Sequence, residues 1–92
     1  MRRNARVDRN QKEIVEELRA FGAEVLHIHQ LKNCFDILVF WNGNIYPMEI
    51  KASTKDTLTE GEQIFKDKIE AVGCKYYIIY DKEHAIYTLI NN

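Results

Sequence analysis

The stretch from Phe35 to Lys51 constrains the fold of this chain more than any other part of the sequence. Two segments rich in apolar residues, 35–41 and 45–51, are separated by the sequence Asn-Gly-Asn. Asn-Gly between two such segments is typical of the tight turn of a β-hairpin. The first segment is almost entirely apolar, which predicts a strand that is covered on both faces. We therefore expect a hairpin at the centre of the fold.

Apolar periodicity on either side of the hairpin predicts an α/β fold. Residues 10–21 have helical spacing, and residues 23–29 and 75–81 have the composition of strands. Residues 82–90 fit a short closing helix, although their β-branched and aromatic content leaves a strand possible. A strand that follows a helix needs a crossover connection. The expected architecture is therefore a mixed four-stranded sheet, a hairpin with a parallel addition, flanked by helices.

The segment after the hairpin begins with a helix-start signal. Thr59 followed by Glu62 is the pattern of a capping box, in which each residue satisfies a backbone N–H of the other. An apolar stripe at helical spacing follows, and Gly73 marks its end. The residues that we expect to face inward are Ile64, Phe65, Ile69 and Val72.

Size and composition narrow the class of protein. With 92 residues, the sequence predicts one domain, residues 1–92, without a linker or an internal repeat. Two cysteines, Cys34 and Cys74, are too few for a disulfide framework or a zinc cluster. No apolar run is long enough to span a membrane, and no signal-peptide pattern is present. These features favour a reduced cytoplasmic protein with no membrane partner.

The charge is unevenly distributed along the chain. The formal net charge of −1 gives no overall electrostatic case for a nucleic-acid partner. Residues 1–9, however, form a basic N-terminal arm in which a single acid accompanies Arg2, Arg3, Arg6 and Arg9. Guanidinium groups suit bidentate contacts with phosphate, so we expect this arm to bind nucleic acid, with a solvated tail as the alternative. Lys55 is a further candidate for a phosphate contact.

Chemistry is concentrated at the open end of the predicted hairpin. Asp36 opens the first strand, and Glu49 and Lys51 end the second, where a spacing of two places both side chains on one face. Mg²⁺ and Mn²⁺ prefer hard oxygen ligands, which Asp36, Glu49 and the carbonyl of Ile50 would supply. Lys51 would orient the attacking water or stabilise charge that develops on a phosphate. The alternative is that Glu49 and Lys51 are only a solvated charge pair.

The first predicted helix adds one more polar candidate. At 100° per residue, Gln11 falls near the middle of the apolar stripe formed by Ile14, Val15, Leu18 and Phe21, whereas Glu13 points away from it. A polar amide on an inward face needs a partner. Gln11 is therefore the favoured site residue on this helix, and Glu13 is held in reserve. We interpret the histidine pair on the next strand, which includes His27, as surface or packing residues.

The order of these motifs resembles the PD-(D/E)xK nuclease superfamily, which has a restriction-endonuclease-like core. The residues that carry the resemblance are Phe35-Asp36 followed by Glu49-Ile50-Lys51. The first helix, with its sequence Asn-Gln-Lys-Glu-Ile-Val, is similar to the opening helix of small phage-borne and bacterial members. Those members are related to VRR-NUC domains and to archaeal Holliday-junction resolvases.

The resemblance implies a function and further site residues. It implies DNA as the substrate, Mg²⁺ or Mn²⁺ as the cofactor, and a homodimer, because one small domain covers little duplex. It assigns Gln11 to the position of the first-helix catalytic residue. It also implies that Gln63, on the helix after Lys51, faces the site. VRR-NUC domains and resolvases suggest branched, flap or junction DNA.

Together these observations predict a metal-dependent DNA endonuclease that hydrolyses phosphodiester bonds. Asp36, Glu49, Lys51, Gln11 and Gln63 are the expected catalytic-site residues. The alternative is a non-catalytic nucleic-acid-binding or dimeric interaction module on a nuclease-like fold. The presence of Asp36, Glu49 and Lys51 favours the enzyme. Gln11, which stands where the resolvases have a catalytic glutamate, keeps the non-catalytic module open as an alternative.

Overall fold

A computed structural model describes residues 10–28 and 30–92 of the chain. The observed order of elements is helix, three strands, helix, strand and helix, as the sequence predicts. The bounds of these elements are α1 Gln11–Ala20, β1 Glu24–His27, β2 Ile37–Trp41, β3 Asn44–Ile50, α2 Glu60–Ala71, β4 Tyr77–Ile79 and α3 Lys82–Asn91. The arginines of the predicted basic arm and His29 lie outside the described residues.

The four strands form one mixed sheet in the order β1-β2-β3-β4. β1, β2 and β3 are antiparallel neighbours, and β4 pairs in parallel with β3. The hairpin turn consists of Asn42 and Gly43, whose φ angles of 51° and 81° are both left-handed. This is the geometry that favours Asn-Gly, because its twist matches that of the strands. The predicted hairpin and mixed sheet are therefore confirmed.

One face of the sheet, here the inner face, is covered by α1 and α3. Alternate strand residues point to it, and they join the buried residues of both helices in one hydrophobic cluster. The largest fully buried apolar side chains are Ile14, Leu18, Ile37, Met48, Ile50, Ile79, Leu89 and Val39. α3 is a helix, not the alternative strand, and Asp81 begins it by accepting a 2.7 Å hydrogen bond from the His84 N–H.

The opposite, outer face is much less covered, so the prediction that β2 is buried on both faces is wrong. Leu38 and Phe40 of β2 point outward, and Phe40 is 37% exposed. The physical reason is that α1 and α3 both lie on the inner face. α2 reaches the outer face mainly at the end of β3, where Glu62 bonds Lys51.

α2 begins as predicted but packs loosely. Its capping box is present, with Thr59 and Glu62 each accepting from the backbone N–H of the other. None of its residues is buried, and Ile64 and Val72 of the predicted inward stripe are 48% and 78% exposed. β4 is also shorter than predicted, because only residues 77–79 pair with β3. The closed core thus lies on the inner side of the sheet.

The start of α1 is tied to the ends of two strands. Asn10 occupies the N-cap position, but its side chain makes no capping hydrogen bond. Its Nδ2 instead donates to the carbonyl oxygens of Lys51 and Tyr80, at 3.2 and 2.8 Å. Lys51 follows β3 and Tyr80 follows β4, so this amide fixes the helix start against the strand ends. None of the helices in the described ranges is long and apolar enough to cross a membrane.

Candidate active site

Asp36 lies where the first strand of the hairpin begins and the second ends. Its backbone N–H donates to the Met48 carbonyl at 3.0 Å, and its Oδ2 accepts from the backbone N–H of Ile50 at 2.8 Å. These two hydrogen bonds fix the residue at both its backbone and its side chain. The carboxylate is thereby held beside the last residue of β3, as the hairpin prediction required.

The backbone carbonyl oxygen of Ile50, at the end of β3, also points toward the side of the strand on which Asp36 lies. The N–H of Lys51 donates to the Ile79 carbonyl of β4 at 3.0 Å, whereas the N–H of Ile50 points to Asp36. In a strand, the N–H and the carbonyl of one residue point to the same edge. The carbonyl of Ile50 therefore faces the β2 side of the sheet, on which Asp36 lies.

Glu49 and Lys51 occupy the outer face of the sheet next to this point. Glu49 is only 4% exposed, and the Lys51 Nζ lies 3.3 Å from its Oε2. The same Nζ donates to the Oε1 of Glu62 at 3.2 Å. The alternative of a solvated surface pair does not describe this arrangement, because the carboxyl is buried and the lysine side chain is largely covered. The sequence prediction that the two side chains share a face is confirmed.

The electrostatics of Glu49 are dominated by its surroundings. Burial, followed by the nearby charges of Asp36 and Glu62, raises the pKa of Glu49 to about 9, and the opposing charge of Lys51 does not prevail. For Lys51, burial lowers the pKa, but the hydrogen bond to Glu62 and the charge of Glu49 outweigh this and raise it. The raised pKa of Glu49 means that burial and the two neighbouring carboxylates outweigh the positive charge of Lys51.

Glu62 is a site residue that the sequence reasoning assigned only to the helix cap. Its Oε1 accepts from the Thr59 N–H at 3.0 Å and from Lys51 Nζ, so one oxygen serves both the cap and the site. Burial opposes ionisation, but these donors together lower the pKa of Glu62. The sequence signals the cap role of Glu62, but its contact with Lys51 depends on how α2 packs against the end of β3.

Gln63 is not brought to the other site residues. It is exposed on α2, and its Nε2 donates to Asp67 Oδ1 of the same helix at 2.9 Å. The helix presents Glu62 to Lys51 instead, because successive helical residues point about 100° apart. Lys55 is exposed in the loop after β3, where its backbone N–H bonds Ser53 Oγ at 3.2 Å. Its phosphate-binding role stays a prediction.

Gln11 is buried, as its place in the α1 stripe predicts, with 1% of its surface exposed. Its Nε2 lies 3.4 Å from Nδ1 of His27 on β1, and its Oε1 is buried without a hydrogen-bond partner among the described residues. Glu13, the reserve candidate, is exposed. The amide thus has an unsatisfied acceptor, which a bound water or ligand would satisfy. Its catalytic role stays a prediction.

The donor set suits a divalent cation that keeps part of its water shell. Within residues 10–28 and 30–92 there is no group of three or more His, Cys, Asp and Glu side chains arranged to hold a metal ion. Asp36, Glu49 and the Ile50 carbonyl would therefore supply three oxygens and leave the remaining positions to water and substrate. Mg²⁺ is commonly held in this way, by one or two carboxylates and several waters. The raised pKa of Glu49 marks a position where added positive charge is favourable.

Comparison with known proteins identifies a solved structure with a similar fold. A solved structure described as a VRR_NUC domain matches the chain with a TM-score of 0.71 and 21% sequence identity. The match covers 91% of this chain and 92% of that one. No family model and no curated protein matches the chain. The fold expected from the sequence resemblance is confirmed, because the chain has the fold of the structure described as a VRR_NUC domain.

Proposed function

We propose that this protein is a metal-dependent DNA nuclease that hydrolyses phosphodiester bonds. The observation that carries the proposal is the meeting of Asp36, Glu49 and Lys51 at one end of the hairpin, with Glu49 buried. A surface charge pair would not require a carboxyl at 4% exposure beside a second carboxylate. The VRR-NUC fold is consistent with this chemistry and supports the choice of DNA as the substrate.

In the proposed reaction, different residues bind the metal, contact the reacting groups and position the lysine. Asp36, Glu49 and the carbonyl of Ile50 would hold Mg²⁺ or Mn²⁺. The cation, when bound, would offset the charge of the scissile phosphate and make a water molecule easier to deprotonate. Lys51 would donate from Nζ to the attacking water or to the charge that develops on phosphate oxygen. Glu62 would keep Nζ in place, since it accepts from it at 3.2 Å.

The distribution of charge indicates how DNA would be held. Residues 10–92 contain nine Lys and Arg against thirteen Asp and Glu, whereas residues 1–9 contain four Arg and one Asp. The larger segment therefore repels a polyanion at long range, and the basic arm would supply the attraction. We assign phosphate contacts to Arg3, Arg6 and Arg9, with Lys55 as a contact next to the site.

We further propose that the enzyme prefers branched, flap or junction DNA and acts as a homodimer. The DNA preference follows from the resemblance to VRR-NUC domains and resolvases. The dimer is supported by an outer patch on the sheet, formed by Leu26, Leu38, Phe40, Ile45 and Pro47 in cross-strand register. Leu26 and Ile45 are 53% and 59% exposed, and the patch contains no charge with which to contact phosphate. A second apolar patch of the same kind suits it better.

The test of catalysis is a panel of labelled DNAs: single strand, duplex, flap, splayed arm and four-way junction. Each is incubated with Mg²⁺, Mn²⁺ or EDTA, using the native protein, Lys51→Ala, and Lys68→Ala as the matched control on exposed α2. Cutting that needs metal, is lost in Lys51→Ala and persists in Lys68→Ala supports the proposal. Band shifts without cutting, unaffected by EDTA, favour the non-catalytic binding module. Full activity of Lys51→Ala contradicts the assigned site.

The dimer is tested by light scattering after size-exclusion chromatography. Ile45→Lys introduces a charge in the outer patch, and Ile90→Lys makes the same change on α3, where the native residue is 61% exposed. We expect a dimer for the native protein and for Ile90→Lys, and a monomer for Ile45→Lys. A dimer that survives Ile45→Lys, or a monomeric native protein, contradicts the proposed interface.

A further inference from the structure

The loop that leads into Asp36, residues 30–35, is held by a tyrosine from a distant part of the chain. The Tyr76 hydroxyl, one residue before β4, donates to the carbonyl oxygen of Cys34 at 2.6 Å. Tyr76 is 6% exposed, although its polar end meets a loop. Burial, followed by the charges of Glu49, Glu62 and Asp36, raises the pKa of Tyr76, so the phenol keeps its proton and can donate at neutral pH.

The ring of Phe35 is enclosed by two other aromatic residues. Its centroid lies 5.9 Å from that of Phe65 on α2 and 6.3 Å from that of Tyr76, which meets it edge to face. Both separations fall in the range in which aromatic pairs are favourable. Phe35 directly precedes Asp36, so contacts that fix its ring also fix the backbone from which the carboxylate projects.

α2 contacts the same loop closely at a third point. Asn33 has a left-handed φ of 62°, and its side chain lies against Gly61 so closely that a Cβ at Gly61 would overlap it. The loop is therefore held by a hydrogen bond, an aromatic cluster and a close contact. All three act within three residues of Asp36, and the hydrogen bond through Tyr76 is the directional one among them.

We propose that Tyr76 is a positioning residue for Asp36. By holding the Cys34 carbonyl and the ring of Phe35, it places the Asp36 carboxylate where Oδ2 meets the Ile50 N–H at 2.8 Å. This inference rests on the proposed nuclease function and adds to it a residue that acts through Asp36 without touching metal or substrate. Residues that orient a metal ligand in this way commonly change metal affinity or activity by about 10- to 100-fold when altered.

The test is Tyr76→Phe, which keeps the ring and removes only the hydroxyl. We expect Mn²⁺ binding to weaken by about 10-fold and kcat to fall, with an unchanged KM for DNA. We also expect the ¹⁵N–¹H resonance of Ile50 to shift, because its N–H reports on the Asp36 carboxylate. The matched control is Tyr77→Phe, the same change at the next residue, which should leave all three measurements unchanged.

A second variant keeps the proposal falsifiable if Tyr76→Phe does not fold. Phe65→Leu removes the other ring beside Phe35 and should shift the Ile50 resonance and weaken Mn²⁺ binding in the same direction. An unchanged Mn²⁺ affinity and Ile50 resonance in Tyr76→Phe would overturn the inference. With Lys51→Ala inactive in the same assay, that result would leave the nuclease assignment intact, whereas full activity of Lys51→Ala would remove the assignment itself.

Discussion

The two faces of the sheet differ in how well they are covered and in the kind of side chain they carry. On the inner face, α1 and α3 enclose a continuous cluster in which Leu18, Ile37 and Ile79 are 0% exposed. On the outer face, α2 contributes no buried residue, and charged side chains occupy the best-covered position at the end of β3. The inner face therefore carries most of the hydrophobic stabilisation, and the outer face carries the groups suited to chemistry.

This difference explains how so small a domain accommodates a buried carboxyl. Burying the ionised carboxylate of Glu49 beside Asp36 opposes folding, and the charge of Lys51 offsets only part of this cost. The inner core can offset that cost because its packing does not depend on the outer face. Substitutions on the two faces should accordingly separate stability from activity, and the following four experiments test that separation.

The largest effect is expected for Asp36→Asn on the outer face. The amide oxygen can still accept from the Ile50 N–H, so the fold should persist, while the lost negative charge should weaken the proposed metal site. We expect cleavage to fall by about 10³-fold, with a large loss of Mn²⁺ affinity by calorimetry. Asp67→Asn on exposed α2 is the control. Near-native cleavage by Asp36→Asn would remove Asp36 from the site.

Truncation of the inner core should give the next largest effect, on stability. Leu18→Ala empties a fully buried position, and we expect the free energy of unfolding to fall by about 3 kcal/mol in urea titrations. Ile64→Ala makes a comparable change on α2, where the native side chain is 48% exposed, and should cost less than about 0.5 kcal/mol. Equal losses would mean that α2 is packed as tightly as α1.

The pH dependence of stability should reflect Glu49. Its pKa is raised from 4.5 to about 9, so the folded state keeps a proton that the unfolded chain releases, and stability falls as the pH rises between these values. Glu62 and Lys51 do not offset this trend at neutral pH, because their pKa shifts act below 4.5 and above 10.5.

Without metal, we expect the free energy of unfolding to fall by up to about 2 kcal/mol from pH 6 to pH 8. Glu49→Gln should flatten the curve, and saturating Mg²⁺ should do so in the native protein. Glu24→Gln, at an exposed position of β1, serves as the comparison. A native curve that stays flat in EDTA would show that Glu49 ionises freely in the folded protein.

The smallest effect is expected for Gln63→Ala. Among the residues that the structure describes, its amide bonds only Asp67 on the helix surface, so cleavage should stay within about two-fold and stability within about 0.5 kcal/mol of native. The neighbouring Glu62→Ala removes an acceptor of both Thr59 and Lys51, and should cost about 1 kcal/mol and lower kcat. A strong effect of Gln63→Ala would restore it to the site.

Local patterns in the sequence predicted the features that depend on neighbouring residues. Asn42-Gly43 has the left-handed φ angles that its turn requires, and the Thr59 capping box forms as expected. The inward position of Gln11 follows from helical periodicity alone. These features were accessible because their physical causes act over a few residues, and the mixed sheet then followed from the limited ways of connecting strands.

The features that the sequence did not predict depend on contacts between distant segments. The choice of Glu62 over Gln63 is set by where α2 meets Lys51, which helical periodicity by itself does not fix. The open outer side of β2 depends on which face the helices cover. An apolar strand sequence is compatible with burial on both faces. It is equally compatible with one buried face and one partly exposed apolar face, such as the outer patch. The raised pKa of Glu49 likewise arises from the assembled cluster.

The amide of Asn10 gives the molecule a mechanical property. Because its Nδ2 bonds the carbonyls of Lys51 and Tyr80, we expect tension applied to the chain before α1 to act on the backbone of Lys51. A ligand that draws residues 1–9 toward itself would load the same two hydrogen bonds. Asn10, which directly follows residues 1–9, is thus also an anchor of the end of β3. Under the proposed function, binding of DNA by those residues and alignment of Lys51 would share this attachment.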